Sequence, residues 1–304
     1  MKIAYFGLPL GALLLLRDGH ELVHVTLARA QGLGMRRLRR LLGAGRVHRP
    51  GTLPPSDLAF DLLVSWFYPK KLGPEVLARG RIGTLGVHPS LLPRHRGPDP
   101  YFAALDAGDT VTGVTAHRLD VEYDTGAMLG REELGIDPSW DAWTLARKLD
   151  RPSLRVLRRV AAAFADDPAT VREMPQDEAQ ATHAPAPSEE DLELDLRATS
   201  AERALRRIRA AAPWPGAWFG VGEESVVVER AMVAAAAPAL AAGELAVTAD
   251  GAVLLGCREG ALRIDRVRLE ADALDEAELP PGVEMSDLVL EGPAWTRWVE
   301  ARTK

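Results

Sequence analysis

His88 and Asp124 are the side chains whose surroundings could support proton chemistry. His88 follows the apolar run "TLGV" and opens "HPSLLPRHRG", where Pro89 and Pro93 each fix a backbone φ and stiffen the turn between them. Asp124 stands in "DVEYDTG", residues 120–126, a polar cluster closed by Gly126. A carboxylate beside an imidazole holds its tautomer and favours its charged form, so the two would make a proton relay if their strands are neighbours. Each also has a plainer reading, a loop-filling histidine and a common D-T-G turn, and the residues alone leave both open. His20, His24, His48, His95, His117 and His183 have no companions at metal-ligand spacing, which favours surface or core roles for them.

Such residues need strand ends to carry them. Over residues 1–137, apolar runs such as "MKIAYFG", "ELVHVTL", "DLLVSWF" and "TLGVH" alternate with helical stretches such as "PLGALLLLRDG" and "GPEVLARG". This alternation predicts an α/β, doubly wound domain with a mostly parallel sheet. Ligands of such sheets lie beyond the carboxyl ends of the strands, which is where His88 falls. Residues 140–167 read as one long helical stretch interrupted at Pro152, and the acidic, proline-bearing 176–196 reads as a surface linker. Beyond it come a helix, "SAERALRRIRAA", and short alternating runs with "ADG" and "REG" turns, which predict a small antiparallel β-barrel. The expected division is a catalytic domain over 1–182, a linker over 183–198 and a C-terminal domain over 199–304.

Length and composition agree: 304 residues suit two domains, and 47% hydrophobic with 26% charged residues exclude a disordered chain. The run "GALLLL" is too short to cross a bilayer and lacks the flanks of a signal peptide, so no membrane partner and a cytoplasmic location are expected. The single cysteine, Cys257, forms no internal disulfide and reads as a small buried hydrophobe. A net charge of -6 argues against general nucleic-acid affinity, although "MRRLRRLLGAGRVHR", residues 35–49, is locally basic. No G-x-G-x-x-G, Walker loop or G-x-S-x-G elbow is present.

"HPSLLPRHRG", "TGVTAHRLD", "DTGAML", "ATHAPAPSEED" and "RIRAAAPWPGAWF", in this order, resemble the folate-dependent formyltransferase family over nearly the whole chain. The family includes methionyl-tRNA formyltransferase, sugar-amine N-formyltransferases and the hydrolase domain of 10-formyltetrahydrofolate dehydrogenase. The resemblance implies the formyltransferase fold followed by a small OB-like β-barrel, with 10-formyltetrahydrofolate as formyl donor and no metal. It carries the family's catalytic histidine and aspartate onto His88 and Asp124. The folate is then expected against Ser90, Leu91, Leu92 and Pro93 and the loop Asp120, Val121, Glu122 and Tyr123, with Leu72 and Leu77 as apolar wall. The implied reaction is formyl transfer to an amine, a small amine or nucleotide-linked amino sugar being favoured over methionyl-tRNA. The family's asparagine, two positions before the histidine, is here Gly86. One missing oxyanion donor can cost about 3 kcal/mol of transition-state stabilisation, so a hydrolase-like or an inactive folate-binding homologue is an alternative, and Gly86→Asn is expected to speed transfer.

Overall fold

The computed structural model describes residues 1–30, 32–222, 224–235, 238–270 and 289–303. The C-terminal domain expected over 199–304 therefore includes a stretch, 271–288, that lies outside the described residues. In chain order the first elements are β1 (Lys2–Gly7), α1 (Pro9–Arg17), β2 (Glu21–Leu27), α2 (Met35–Leu42), β3 (Val47–His48) and β4 (Phe60–Trp66). They continue with α3 (Pro74–Leu77), β5 (Gly80–His88), α4 (Pro100–Ala107), β6 (Val111–His117), β7 (Met128–Gly135) and α5 (Ala142–Asp166). The remainder comprises α6 (Glu189–Leu192), α7 (Ala201–Ala211), β8 (Ala217–Val221), β9 (Glu224–Val233), β10 (Leu245–Val247), β11 (Val253–Gly256), β12 (Ala261–Glu270), β13 (Val289–Glu291) and α8 (Pro293–Arg302).

The first seven strands form one sheet in the order β3-β2-β1-β4-β5-β6-β7. Pairing is parallel from β3 through β5 and antiparallel at β5–β6 and β6–β7. β1 and β4 are buried through most of their length, as strands covered on both faces must be, so their near-continuous apolar sequences follow from position. Proline at the start of α1 needs no partner for its missing N–H. Gly11 lets that helix lie close: a Cβ there would stand 2.4 Å from the Tyr5 hydroxyl and 2.8 Å from the Trp66 ring.

α5 differs from the interrupted stretch expected, because it runs unbroken through Pro152. An interior proline costs about 3 kcal/mol, and here the ring joins a buried stripe with Leu145, Leu149, Val156, Val160 and Phe164 that offsets the lost hydrogen bond.

The later strands form an antiparallel, curled half-barrel, β10-β11-β12-β9-β8, with β13 added on β12. Register shifts where β12 crosses β9 supply the local bends that such curling needs. The chain divides into two compact units. The first is Met1–Tyr101, Thr110–Asp137 and Leu145–Pro185; the second is Phe102–Asp109, Pro138–Thr144 and Ala186–Lys304. Two short segments from the first half of the chain thus belong to the second unit. The stretch expected as linker, 183–198, is also more than a crossing: Leu192, Leu194 and Leu196 are buried in the second unit's core.

Candidate active site

β5 delivers His88 at its last position, and the antiparallel neighbour β6 leads through Leu119 into the turn that holds Asp124. His88 Nδ1 lies 3.4 Å from Asp124 Oδ2, so the structure brings the two together. The His88 Nε2–H donates to the His95 carbonyl at 2.8 Å. Both ring nitrogens of His88 therefore face protein groups. Asp124 also accepts from the Gly97 N–H at 3.0 Å, and its other oxygen lies 3.5 Å from His117 Nε2. The His117 ring is anchored at Nδ1, whose N–H donates to the Arg118 carbonyl at 2.7 Å. All three side chains are buried or nearly so. Burial pushes the His117 pKa down, His88 and Arg96 act in the same direction, and Asp124 opposes them.

These residues border a cavity of about 650 Å³ within the first unit. Its apolar wall includes Leu72, Leu77 and Leu119, and Asp120, Glu122 and Tyr123 also line it. Lys71 pairs with Glu122 at 3.2 Å and lies 4.9 Å from the centre of the Tyr123 ring. Val121 is half-exposed and stands outside the lining. The Ser90–Pro93 turn is not part of the lining either, and its polar groups are spent on holding the loop. The Ser90 hydroxyl donates to the Arg94 carbonyl at 2.6 Å, and the Leu92 N–H donates to Thr115 Oγ1, which itself donates to the Ser90 carbonyl. Ser90 and Leu92 are buried, while Leu91 and Pro93 keep part of their surface exposed.

Phe67 and Asp124, which line the cavity, and His95, which holds His88, are the non-glycine residues with positive φ among those described, at 53°, 60° and 56°. Side chains adopt that region at a cost that the surroundings must supply, and such residues cluster where function fixes the backbone.

Gly86 lies on the cavity opposite His117 in the β5–β6 ladder. A Cβ there would stand 2.5 Å from Leu119 Cδ2 and 2.9 Å from His117 Nε2. An asparagine therefore enters only if the Leu119 and His117 side chains give way, which weighs against the gain expected from Gly86→Asn. His117, read from sequence as a surface or core histidine, is the residue missed. Its signal was the pairing of "TAH" with "LGVH", which sets it across from the one residue without a side chain.

Asp150 and Tyr101 also border the cavity and were not foreseen. Burial raises both pKa values. Among the described residues no group of three or more His, Cys, Asp or Glu side chains is placed to hold a metal ion, and no helix is long and apolar enough to cross a membrane.

The sequence model of the family described as "Formyl transferase" matches residues 56–161, and that of "Formyl transferase, C-terminal domain" matches 188–278. Methionyl-tRNA formyltransferase from Acidobacterium capsulatum is 32% identical over 291 residues, covering 89% of this chain and 92% of the relative. Among solved structures, HypX from Aquifex aeolicus in complex with tetrahydrofolic acid superposes with a TM-score of 0.62 at 21% identity, over 89% of this chain. The match spans only 44% of HypX. An N-formyltransferase from Helicobacter canadensis, in complex with folinic acid and dTDP-3-aminofucose, gives 0.65 at 12% identity, over 87% of this chain and 98% of its own. At those identities the two structures speak for the fold. Sequence and fold agree that the chain belongs to the formyltransferase family.

Proposed function

We propose that this protein transfers the formyl group of 10-formyltetrahydrofolate to an amine, with His88 and Asp124 moving the protons. The observation that carries the reading is the His88–Asp124 pair on the wall of a cavity roomy enough for a flat heteroaromatic ring. An uncharged amine attacks the formyl carbon of the donor, the tetrahedral adduct collapses with cleavage of the bond from that carbon to N10, and the proton that the amine gives up passes to N10, so that tetrahydrofolate leaves. Asp124 holds the His88 ring in place from Nδ1, and the His95 carbonyl holds it from Nε2. His88 acts on a substrate oxygen when its Nε2–H exchanges the His95 carbonyl for that oxygen. The apolar wall of Leu72, Leu77 and Leu119 excludes water around the reacting carbon.

Two acceptors each have support. Exposed Arg36, Arg37, Arg39 and Arg40 on α2 form a basic face that suits a phosphate backbone, and the Acidobacterium relative bears the name of a methionyl-tRNA enzyme. Against this, a chain of net charge -6 with so short a basic segment suits a small amine, such as the nucleotide-linked amino sugar bound by the Helicobacter enzyme.

The test is release of tetrahydrofolate from 10-formyltetrahydrofolate, measured without acceptor, with methionyl-tRNA and with a panel of nucleotide-linked amino sugars. Amine-dependent release is expected, and the amine that supports it names the acceptor. Release that ignores every amine would mean hydrolysis, and binding without release a silent folate-binding protein. His88→Ala is expected to cut turnover by about 10²–10⁴-fold; full activity in that variant sinks the assignment.

A further inference from the structure

The β5–β6 ladder sets His117 directly opposite Gly86. Residues so opposed send their side chains to the same face of the sheet, and a glycine sends nothing. The space is filled from β6 instead: His117 Nε2 and Cε1 lie 2.9 and 3.1 Å from where a residue-86 Cβ would stand, and Leu119 closes the remainder. Anchored on the Arg118 carbonyl, the imidazole cannot leave that place without giving up its hydrogen bond.

The protons of the cluster can be counted. His88 Nε2 and His117 Nδ1 each face a backbone carbonyl, which can only accept, so each must carry a hydrogen. The remaining nitrogens, His88 Nδ1 and His117 Nε2, face different oxygens of Asp124 at 3.4 and 3.5 Å. With both rings neutral, two lone pairs would confront one carboxylate. One added proton turns one of these contacts into a charge-assisted hydrogen bond. A second would place two imidazolium ions around a single carboxylate in a buried site, where like charges oppose each other.

We propose that His117 is a positioning residue of this site, which from above Gly86 shares Asp124 with His88 so that the three side chains hold one common proton. The surrounding charges are largely matched. Arg96 is held by Glu178 at 2.7 Å, Arg118 by Glu173 at 2.7 Å and Lys71 by Glu122, while His95 and Arg94 lie in contact on the neighbouring loop. Asp120 accepts from the Val121 N–H. Burial disfavours the charged form of His117.

The inference rests on the proposed formyl transfer only for its kinetic arm. Its first arm is a pH titration of the full-length protein labelled with ¹⁵N-histidine and followed by NMR, with no substrate present. In the wild type the His117 ring is expected to take a proton only below the ordinary imidazole range, because it is buried and His88 competes for the same carboxylate. A His117 ring that titrates in the ordinary range overturns the proposal, and this reading needs no variant to fold. His88→Gln is expected to raise the His117 midpoint by about one unit, as the competing charge is gone. Asp124→Asn is expected to lower the His117 midpoint further, since that carboxylate favours the charged ring; an unchanged midpoint overturns the sharing.

The kinetic arm follows kcat for tetrahydrofolate release at saturating amine. His117→Gln is expected to move the acid limb of the pH profile, to which protonation of the acceptor amine also contributes, and to leave the KM for the donor unchanged. A purely structural role would leave that limb where it was, and an unchanged limb overturns the proposal. If the wild type releases no tetrahydrofolate with any amine, the proposed function fails while the NMR result still decides the shared proton.

Discussion

At the scale of single residues, the site turns on which strand supplies the atoms above position 86. Gly86→Asn is expected to lower both Tm and tetrahydrofolate release, because the added side chain must displace His117 and Leu119, and overpacking of this kind costs about 1–3 kcal/mol. Adding His117→Gly to that variant removes one of the two obstructing side chains and leaves Leu119, and partial recovery of Tm in the double variant checks the steric argument apart from any chemistry. His88 and Asp124 were legible in the sequence because each sits in a short motif with its own turn residues, and their meeting needed only that β5 and β6 be neighbours. The partnership of Gly86 and His117 was not legible. It depends on strand register, and in a ladder of period two a slip of one residue would turn His117 to the other face.

The elements that hold the site form a clamp around the 89–97 loop. The segment after α5 returns beside it: the Arg96 N–H donates to the Thr182 carbonyl, the Ala184 N–H to the Arg96 carbonyl, and the His95 N–H to the Thr182 hydroxyl. The Arg96 side chain, only 3% exposed, donates to Gln176 Oε1 and to both Glu178 oxygens. Gln176 in turn donates from Nε2 to the Asp124 and Gly126 carbonyls at 2.7 and 2.8 Å, so the guanidinium steadies the Asp124 turn through one intermediary. Arg96→Ala leaves Gln176 Oε1 without its cation and is expected to cost about 2 kcal/mol. The checks are a thermal melt, with a fall in Tm of about 5 °C, and a slower tetrahydrofolate release. Arg96→Lys keeps the charge but lacks the planar fork, so it is expected to recover only part of the loss. Sequence periodicity revealed the strands and helices here, because burial on one face leaves a repeat. It was silent on the clamp, since 174–184 has no such repeat and is ordered by hydrogen bonds to residues some 80 positions earlier.

Across the molecule, the two units do not follow the two halves of the sequence. α4 lies between β5 and β6 in the chain, yet Phe102 packs on the second unit's core and Asp106 receives hydrogen bonds from Arg203 and Arg207, 97 and 101 residues later. The division into an α/β part and a small antiparallel part could be read from alternating runs and composition. The exchange of 102–109 could not, because a short, mostly apolar helix carries no mark of which core it will meet. Burial pushes the Asp106 pKa up, but the hydrogen bonds from Arg203 and Arg207 outweigh it and hold the carboxyl below its ordinary value. A carboxyl depressed on folding contributes stability that is complete above its unfolded pKa, about 3.9, and is lost as pH falls through the folded value. Asp106→Asn leaves two guanidinium groups without their anion and is expected to destabilise the second unit by about 3 kcal/mol at neutral pH. As pH is lowered below about 4 the wild type loses its share of that energy and the variant has none to lose, so their melting temperatures are expected to converge. Paired thermal melts at neutral and acid pH read this directly, and a gap in Tm that stayed constant with pH would remove Asp106 from the forces holding α4 to the second unit.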